Sequence, residues 1–416
     1  MKKMMRVLGQ VLMLVCVLLM ANNVLAAEKL QWRKDISPTK ARPQALREAY
    51  FPGTEDLGKD EMRIFACGTG MPTARPKQAA TCYLVELGNG DKFVFDMGTG
   101  STERLSALRI PWDYLDKAFI GHLHTDHFGD FDALYIGGWV GGRNTPFRVW
   151  GPSGQTPEFG TKYALEKIKE GLTWDIEGRK GNIPASGGKL EIHEFDYKGE
   201  NQVVFQENGV TIRSWPAIHA IDGSVSYSLE WNGLKFVFGS DTYPNKWFIE
   251  YAKDADLVIH ECFITVQQLI DKYKWAPQTA LQVGTQVHTA PEATGKVFSM
   301  IKPRMAVAYH FFNDFDTRSD IERRIRTTYD GPLSLATDYM VWNVTKDKIR
   351  VRMTALMEDV WPPAPATIVQ PPDPKLRIPK TEFLENGKLD VTDVIQPIYD
   401  DINKKYSLSE KPGTGE

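Results

Sequence analysis

Between Gly121 and Asp130 the chain reads GHLHTDHFGD, which places three of its eight histidines and two aspartates within ten residues. The run directly follows an apolar stretch, KAFI, that reads as a strand. Side chains two apart on a strand point the same way, so His122 and His124 can reach one point in space. Asp126 and His127 come one step later, as the chain turns into a helix, and can face a second point beside the first. Neutral imidazole and carboxylate suit zinc, manganese or iron. Two metal sites need more ligands than four residues supply, so a fold for this chain must bring other polar side chains to the end of that strand.

The remaining histidines fall where apolar runs stop. His219 ends TIRSWPAIH, His260 ends DLVIH and His310 ends RMAVAYH, while Asp241 ends LKFVFGSD. His288 immediately precedes a helical stretch, and only His193, inside LEIHEF, reads as an ordinary strand residue. One histidine at a strand end is usually structural. Seven of eight in this cluster, at strand ends or just before a helix point to a shared metal centre.

From Met62 to about Met357 strand-like and helix-like stretches alternate. Asn89-Gly90, Asn208-Gly209 and Asn232-Gly233 each stand between β-rich runs as two-residue hairpin signals. TKYALEKIKEGL and PEATGKVFSMIK read as helices; the second has Thr289 and Glu292 in capping-box spacing and Pro291 in its first turn. The strand RMAVAY follows. Early hairpins mixed with later crossover helices predict an α/β chain whose two sheets pack face to face with helices outside. The folded domain is placed at 61–357, after a polar lead-in at 27–60. The composition then turns Pro-rich over 358–416, and WPPAPATIVQPPDPKLRIP is expected to run extended over the surface. The apolar stretch Val391–Tyr399 either docks that extension or leaves it disordered.

Residues 1–26 have a basic start, an apolar run and the small-residue ending VLA, which together read as a secretory signal peptide cut near Ala26. An uncleaved membrane anchor is the competing reading. Cleavage removes Lys2, Lys3 and Arg6 but no acid, which takes the formal net charge from −3 to −6. An acidic protein repels a phosphate backbone at long range, so no nucleic-acid partner is expected, and no membrane contact after cleavage. The localisation expected is periplasmic or secreted. In an oxidising compartment Cys67 and Cys82, on consecutive strand-like runs, can form a disulfide; two buried thiols are the alternative. The chain has no CxxC pair, so thiolate zinc sites are not expected.

The motifs CGTGMP, FVFDMGTG, HLHTDH, IHA, GSDTYP, LVIHECF, VHTAPEA and AYHFF follow one another in this order. In that order they resemble the metallo-β-lactamase superfamily, within it the ribonuclease Z and arylsulfatase-like branch, over about Arg63 to His310. The resemblance implies a four-layer αββα sandwich and two zinc ions, with manganese or iron(II) as substitutes. It implies one metal on His122, His124 and His219, and a second on Asp126, His127 and His310, with Asp241 bridging both. Two cations about 3.5–4 Å apart acidify a shared water and neutralise charge on the attacking and leaving oxygens. Asp126 and His288 are then the catalytic candidates, His288 by stabilising the leaving group or donating a proton. Asp96, and with it His260 and Glu261, would hold the ligands in place through hydrogen bonds.

The resemblance also bears on the reaction. β-Lactam-cleaving members typically lack a bridging aspartate, whereas phosphodiesterase and sulfatase branches keep it. The expected activity is therefore metal-bound hydroxide attacking a small sulfate or phosphate ester, arylsulfatase- or phosphodiesterase-like. A lactone or β-lactam hydrolase, a tRNA endonuclease and a metal-carrying protein without turnover are the alternatives. Only 21 residues separate His219 from Asp241, where ribonuclease Z enzymes often insert a tRNA-gripping arm. Trp139, Trp174, Phe311 and Phe312 are candidates for a substrate wall, with core packing as the alternative for each. A homodimer is left open as the assembly.

Overall fold

Strict alternation of inward and outward side chains sorts the strands of this chain into two sheets. The computed structural model describes residues 48–73, 75–356, 361–367 and 371–412, and the expected signal peptide lies outside them. The first sheet comprises β1 (Ala49–Tyr50), β2 (Met62–Gly68), β3 (Cys82–Leu87), β4 (Lys92–Phe95), β5 (Lys117–Phe119), β6 (Phe147–Pro152), β7 (Leu190–Phe195), and the late strands β15 (Met340–Val344) and β16 (Ile349–Thr354). Its order is β1-β16-β15-β2-β3-β4-β5-β6-β7. The second sheet comprises β8 (Gln202–Glu207), β9 (Val210–Pro216), β10 (Val225–Trp231), β11 (Leu234–Phe238), β12 (Leu257–Glu261), β13 (Met305–Tyr309) and β14 (Leu333–Leu335), in reverse sequence order from β14 to β8.

Ile64, Phe93, Phe95 and Phe119 of the first sheet meet Ile212, Tyr227, Phe236, Phe238 and Ile259 of the second in one buried layer. Phe65, Leu84 and Val94 point the other way and pack on Leu105, Phe131, Tyr135 and Leu165 of the first helical layer. Val237, Val258 and Ala306 likewise pack on Phe248, Phe298 and Ile321. The result is the four-layer αββα sandwich that the sequence predicts. Each of these large side chains contributes roughly 1.5–3 kcal/mol by leaving water.

Two of the three Asn-Gly pairs form tight hairpins. Asn208 and Gly209 (φ 51° and 76°), and Asn232 and Gly233 (φ 52° and 73°), both adopt the positive φ that a two-residue turn with the strand twist requires. Asn89-Gly90 differs. Only Gly90 has positive φ, and the connection from β3 to β4 spans four residues, 88–91. The helix at PEATGKVFSMI begins after Ala290 with Pro291 in its first turn, but the capping box does not form. Thr289 donates instead to the Thr242 carbonyl (2.6 Å), and Glu292 pairs with Arg324 (2.7 Å).

The folded unit also starts earlier than residue 61. β1 pairs in parallel with β16, and Glu55 makes a buried two-pronged ion pair with Arg352 at 2.8 and 2.9 Å. The C-terminal extension is attached by Ala366 and Thr367, which donate to Asp113 (2.7 and 2.9 Å), and by Arg377, which donates to the Gly181 carbonyl (3.0 Å). Val391–Tyr399 does not dock it: this stretch lies mostly within a helix, Thr392–Tyr406, none of whose residues is buried. Among the described residues no helix is long and apolar enough to cross a membrane.

Candidate metal centre

β4 runs parallel to β5, and β11, β12 and β13 run parallel to one another; their C-terminal ends open on one side of the sandwich, where α/β sheets present ligands. Asp96 follows β4, His122 and His124 follow β5, Asp241 follows β11, Glu261 ends β12 and His310 follows β13. Three positions there leave the ordinary backbone regions: Asp96 at φ 55°, Ser240 at 50° and His310 at 75°. A non-glycine residue held at positive φ costs on the order of 1–3 kcal/mol, and such strain collects at functional sites. Gly98 is required by close approach, because a Cβ there would collide with the Asp126 carbonyl. Cys67 and Cys82 are disulfide-bonded, with Cα atoms 5.1 Å apart. The loop they close holds two ligand residues by the backbone: the Thr69 carbonyl accepts from His310 N–H (3.1 Å), and Thr81 N–H donates to the Asp126 carbonyl (2.9 Å).

Seven side chains from the two sheets converge as expected. His124 Nδ1 lies 3.0 Å from His122 Nε2 and 3.2 Å from His219 Nε2, so three imidazole nitrogens face one point. Beside them, Asp126 Oδ2 lies 3.1 Å from His310 Nε2 and 3.4 Å from His127 Nε2. Asp241 stands between the groups. Its Oδ1 is 3.4 Å from His127 Nε2, and its Oδ2 is 3.1 Å from His310 Nε2 and 3.9 Å from His219 Nε2.

The charges of these groups do not balance without cations. Burial holds His122 and His219 well below the usual imidazole range, His219 at about 3, and it also lowers His124. That favours the neutral form with a free lone pair, which a metal requires. Burial alone would also lower His127, but the Asp241, Asp126 and Asp96 carboxylates outweigh it and pull its pKa well above normal. Asp241 is buried and still held far below the carboxylate range by His310 and His127. Buried Asp126 Oδ1 and His127 Nε2 have no hydrogen-bond partner, an expensive state inside a protein. These donors fit two divalent cations: His122, His124 and His219 would hold one, Asp126, His127 and His310 the other, and Asp241 both.

The supporting residues are partly as expected. Asp96 Oδ2 accepts from His127 Nδ1 (2.6 Å) and from Ser240 Oγ (3.1 Å), while its Oδ1 accepts from Gly121 N–H (2.7 Å). Glu261 accepts from Thr242 N–H (2.9 Å), next to Asp241, and lies 2.7 Å from His288 Nδ1. His260 does not join it. Alternation along β12 puts Glu261 on the face of Leu257 and Ile259, whereas His260 shares the face of Val258. Its ring packs edge-on against Phe248 at 4.7 Å, under the helices, and burial lowers its pKa to about 4.

His288 stands beside the cluster, its ring 5.0 Å from that of His219 and stacked on Phe263 at 4.1 Å and 6°. Sequence reasoning missed Phe263 and Ser240, which stand two residues after Glu261 and directly before Asp241. The four candidates for a substrate wall divide, two of them going to the core packing that was the other reading. Trp139 and Phe311 are core, Trp174 is 85% exposed on the helix Thr173–Arg179, and Phe312 is half-buried under Arg75. His193 is the strand residue expected, stacked on Trp150 at 4.5 Å.

Fold and site together define a hydrolase of the metallo-β-lactamase superfamily. The family model of the anti-Pycsar protein Apyc1 matches residues 62–140. A ribonuclease Z of Mycobacterium marinum is 27% identical over 208 residues, 48% of this chain and 70% of its own length. One from a Mycobacterium species, strain KMS, is 24% identical over 284 residues, covering 67% and 94%. Among solved structures, the metallo-β-lactamase fold protein YhfI of Bacillus subtilis superposes with a TM-score of 0.51 at 18% identity, over 69% of this chain and all of that one.

Proposed function

We propose that this protein is a dinuclear, zinc-dependent hydrolase of small phosphate diesters. The observation that carries the proposal is Asp241, a single buried carboxylate set between two histidine groups: Oδ1 faces His127 (3.4 Å), while Oδ2 lies between His310 of that same group (3.1 Å) and His219 of the other (3.9 Å). When bound there, two cations would acidify a water between them and neutralise charge on the ester oxygens. The relatives' name, ribonuclease, puts them among enzymes that cut phosphodiester bonds, which favours a phosphate diester over the sulfate ester also expected. Small is favoured over tRNA by the acidic chain and by the 21 residues after His219, which are taken up by a short loop and the β10–β11 hairpin.

The chain's own residues supply the remaining steps. His288, hydrogen-bonded through Nδ1 to Glu261 (2.7 Å), presents Nε2 to the departing oxygen and as the imidazolium gives that oxygen its Nε2 proton, ending as the neutral imidazole. Asp96 fixes the ring of His127, so that its other nitrogen keeps a lone pair toward the centre. Ile218 and Tyr243, both exposed and joined by the Tyr243 N–H to Ile218 carbonyl bond (2.7 Å), form an apolar lip next to His219 and Asp241. That lip suits an aryl or nucleoside group on the ester. Residues 1–26, read as a signal peptide, make the enzyme an exported one, and N-terminal sequencing of the mature chain checks this.

The decisive test is chelation and reloading with zinc, manganese or iron, followed by turnover of bis(p-nitrophenyl) phosphate, p-nitrophenyl sulfate, a lactone and a β-lactam. The diester should be cleaved only with about two metals bound. Ring opening of the lactone or β-lactam with an inert diester would replace this reading with the lactonase one. Loaded protein that cleaves none of the four would overturn it.

A further inference from the structure

The helix Thr392–Tyr406 carries an apolar stripe that the other described residues leave largely uncovered. Val391, Val394, Ile398, Ile402 and Tyr406 are 38–65% exposed, and Ile395 and Tyr399 are half-buried. At 3.6 residues per turn all seven fall within one arc of roughly 140°. Pro397 interrupts the helix, and an isolated 15-residue helix is marginal in water even without a proline. Such a helix needs a partner for its apolar face.

We propose that the partner is the same helix of a second copy of this chain, packed antiparallel. The apolar positions are nearly symmetric under reversal about the 398/399 midpoint. An antiparallel pair centred there sets Val391 level with Tyr406, Ile395 with Ile402, and Ile398 with Tyr399 of the other copy. Self-complementarity of this kind is what a two-fold interface requires.

Charge selects the same orientation. Asp390 and Asp393 stand at the start of the helix, and Lys404 and Lys405 in its last turn. Antiparallel packing puts each acidic end beside a basic one, whereas parallel packing puts like ends together. A lipid surface is the weaker occupant, because the polar face carries Asp393, Asp400 and Asp401, and membrane-lying helices are typically basic there. Phe383 and Leu389, 85% and 82% exposed just before the helix, extend the patch. One helix from each copy makes an interface at the small end of the known sizes, so dimerisation is expected on the order of micromolar concentration.

Sedimentation velocity of the full chain across the micromolar range tests this. Wild type should pass from monomer to dimer, and the Ile398→Asp/Ile402→Asp variant should remain monomeric with unchanged metal content and melting temperature. Those two positions are solvent-facing, so folding of the sandwich does not depend on them. Under mild oxidation Ile398→Cys should link two chains, while Asp393→Cys, on the opposite face, should not. Among the described residues Cys67 and Cys82 are paired and Cys262 is buried, and Cys16 is replaced by Ser in every chain compared in this experiment. A wild type that stays monomeric throughout, or that sediments with phosphatidylglycerol vesicles through this helix instead, would overturn the proposal. So would a dimer that survives the double substitution.

Discussion

Asp96→Asn isolates the contribution of a residue that touches no metal. Asn and Asp have nearly the same shape, and the Asn carbonyl can still accept from Gly121 N–H. The Asn amide, however, presents N–H to His127 Nδ1, where the carboxylate presented an acceptor at 2.6 Å. Two donors cannot face each other, so the His127 proton moves to Nε2, the nitrogen turned toward Asp126 and Asp241. A protonated nitrogen cannot ligate. Loss of such an outer hydrogen bond typically lowers metal affinity about 10–100-fold, which is roughly 1.4–2.7 kcal/mol. The effect should fall on one metal only, because His122, His124 and His219 do not contact Asp96. The assay is a competitive zinc titration of the chelated protein against a fluorescent chelator, resolved into two binding steps. One step should weaken by that factor while the other holds, and the rate should fall with occupancy of the weakened site. Two unchanged steps, or equal weakening of both, would refute the tautomer argument.

Other substitutions separate ligands from proton donors. Asp126→Ala should lose one metal by elemental analysis and at least about 10³-fold in kcat, since it removes a ligand and unbalances its neighbours. His288→Ala should retain both metals and lose about 10²–10⁴-fold in kcat, with the smallest loss on esters whose leaving group needs no proton. Asp338 lies outside the centre, and burial raises its pKa to about 6 despite hydrogen bonds from Ala79 N–H and Thr69 and the charge of Arg104. Its folded pKa is above its unfolded one, so the native state binds more protons between pH 4 and 6 and stability falls as pH rises through that window. Relative to Asp338→Asn, wild type should lose about 3 kcal/mol between pH 4 and pH 7 in urea melts; parallel pH profiles would contradict this.

The ligand set was legible because its residue types are costly to bury and stand where apolar runs end. A strand can place His122, His124 or His310 beyond its last hydrophobic residue only if something beyond the sheet takes up their polarity. The same reasoning, taken one residue further, would have separated Glu261 from His260: parity along LVIHE puts the glutamate with Leu257 and Ile259 and the histidine with Val258. Phe263 and Ser240 were not legible. An aromatic or a serine near a histidine motif is common, and their roles come from contacts across the fold. Ser240 reaches Asp96 from 144 positions away. Two of the four wall candidates went to the core instead. Large aromatics are the usual filling of a core, and Trp139 and Phe311 were needed there. The extension misled because its prolines gave no sign that the chain after Asp390 returns to helical spacing.

The seven converging side chains come from both sheets, the first four from positions 122–127 and the last from position 310. A chain made from its N-terminus therefore displays the first four donors 92 residues before His219 and 183 residues before His310. Until β13 has formed and the turn at His310 has closed, the donor set stays incomplete, and an ion caught there would be held by fewer ligands than the finished site offers. Selection among competing ions is thus postponed to the moment the two sheets meet.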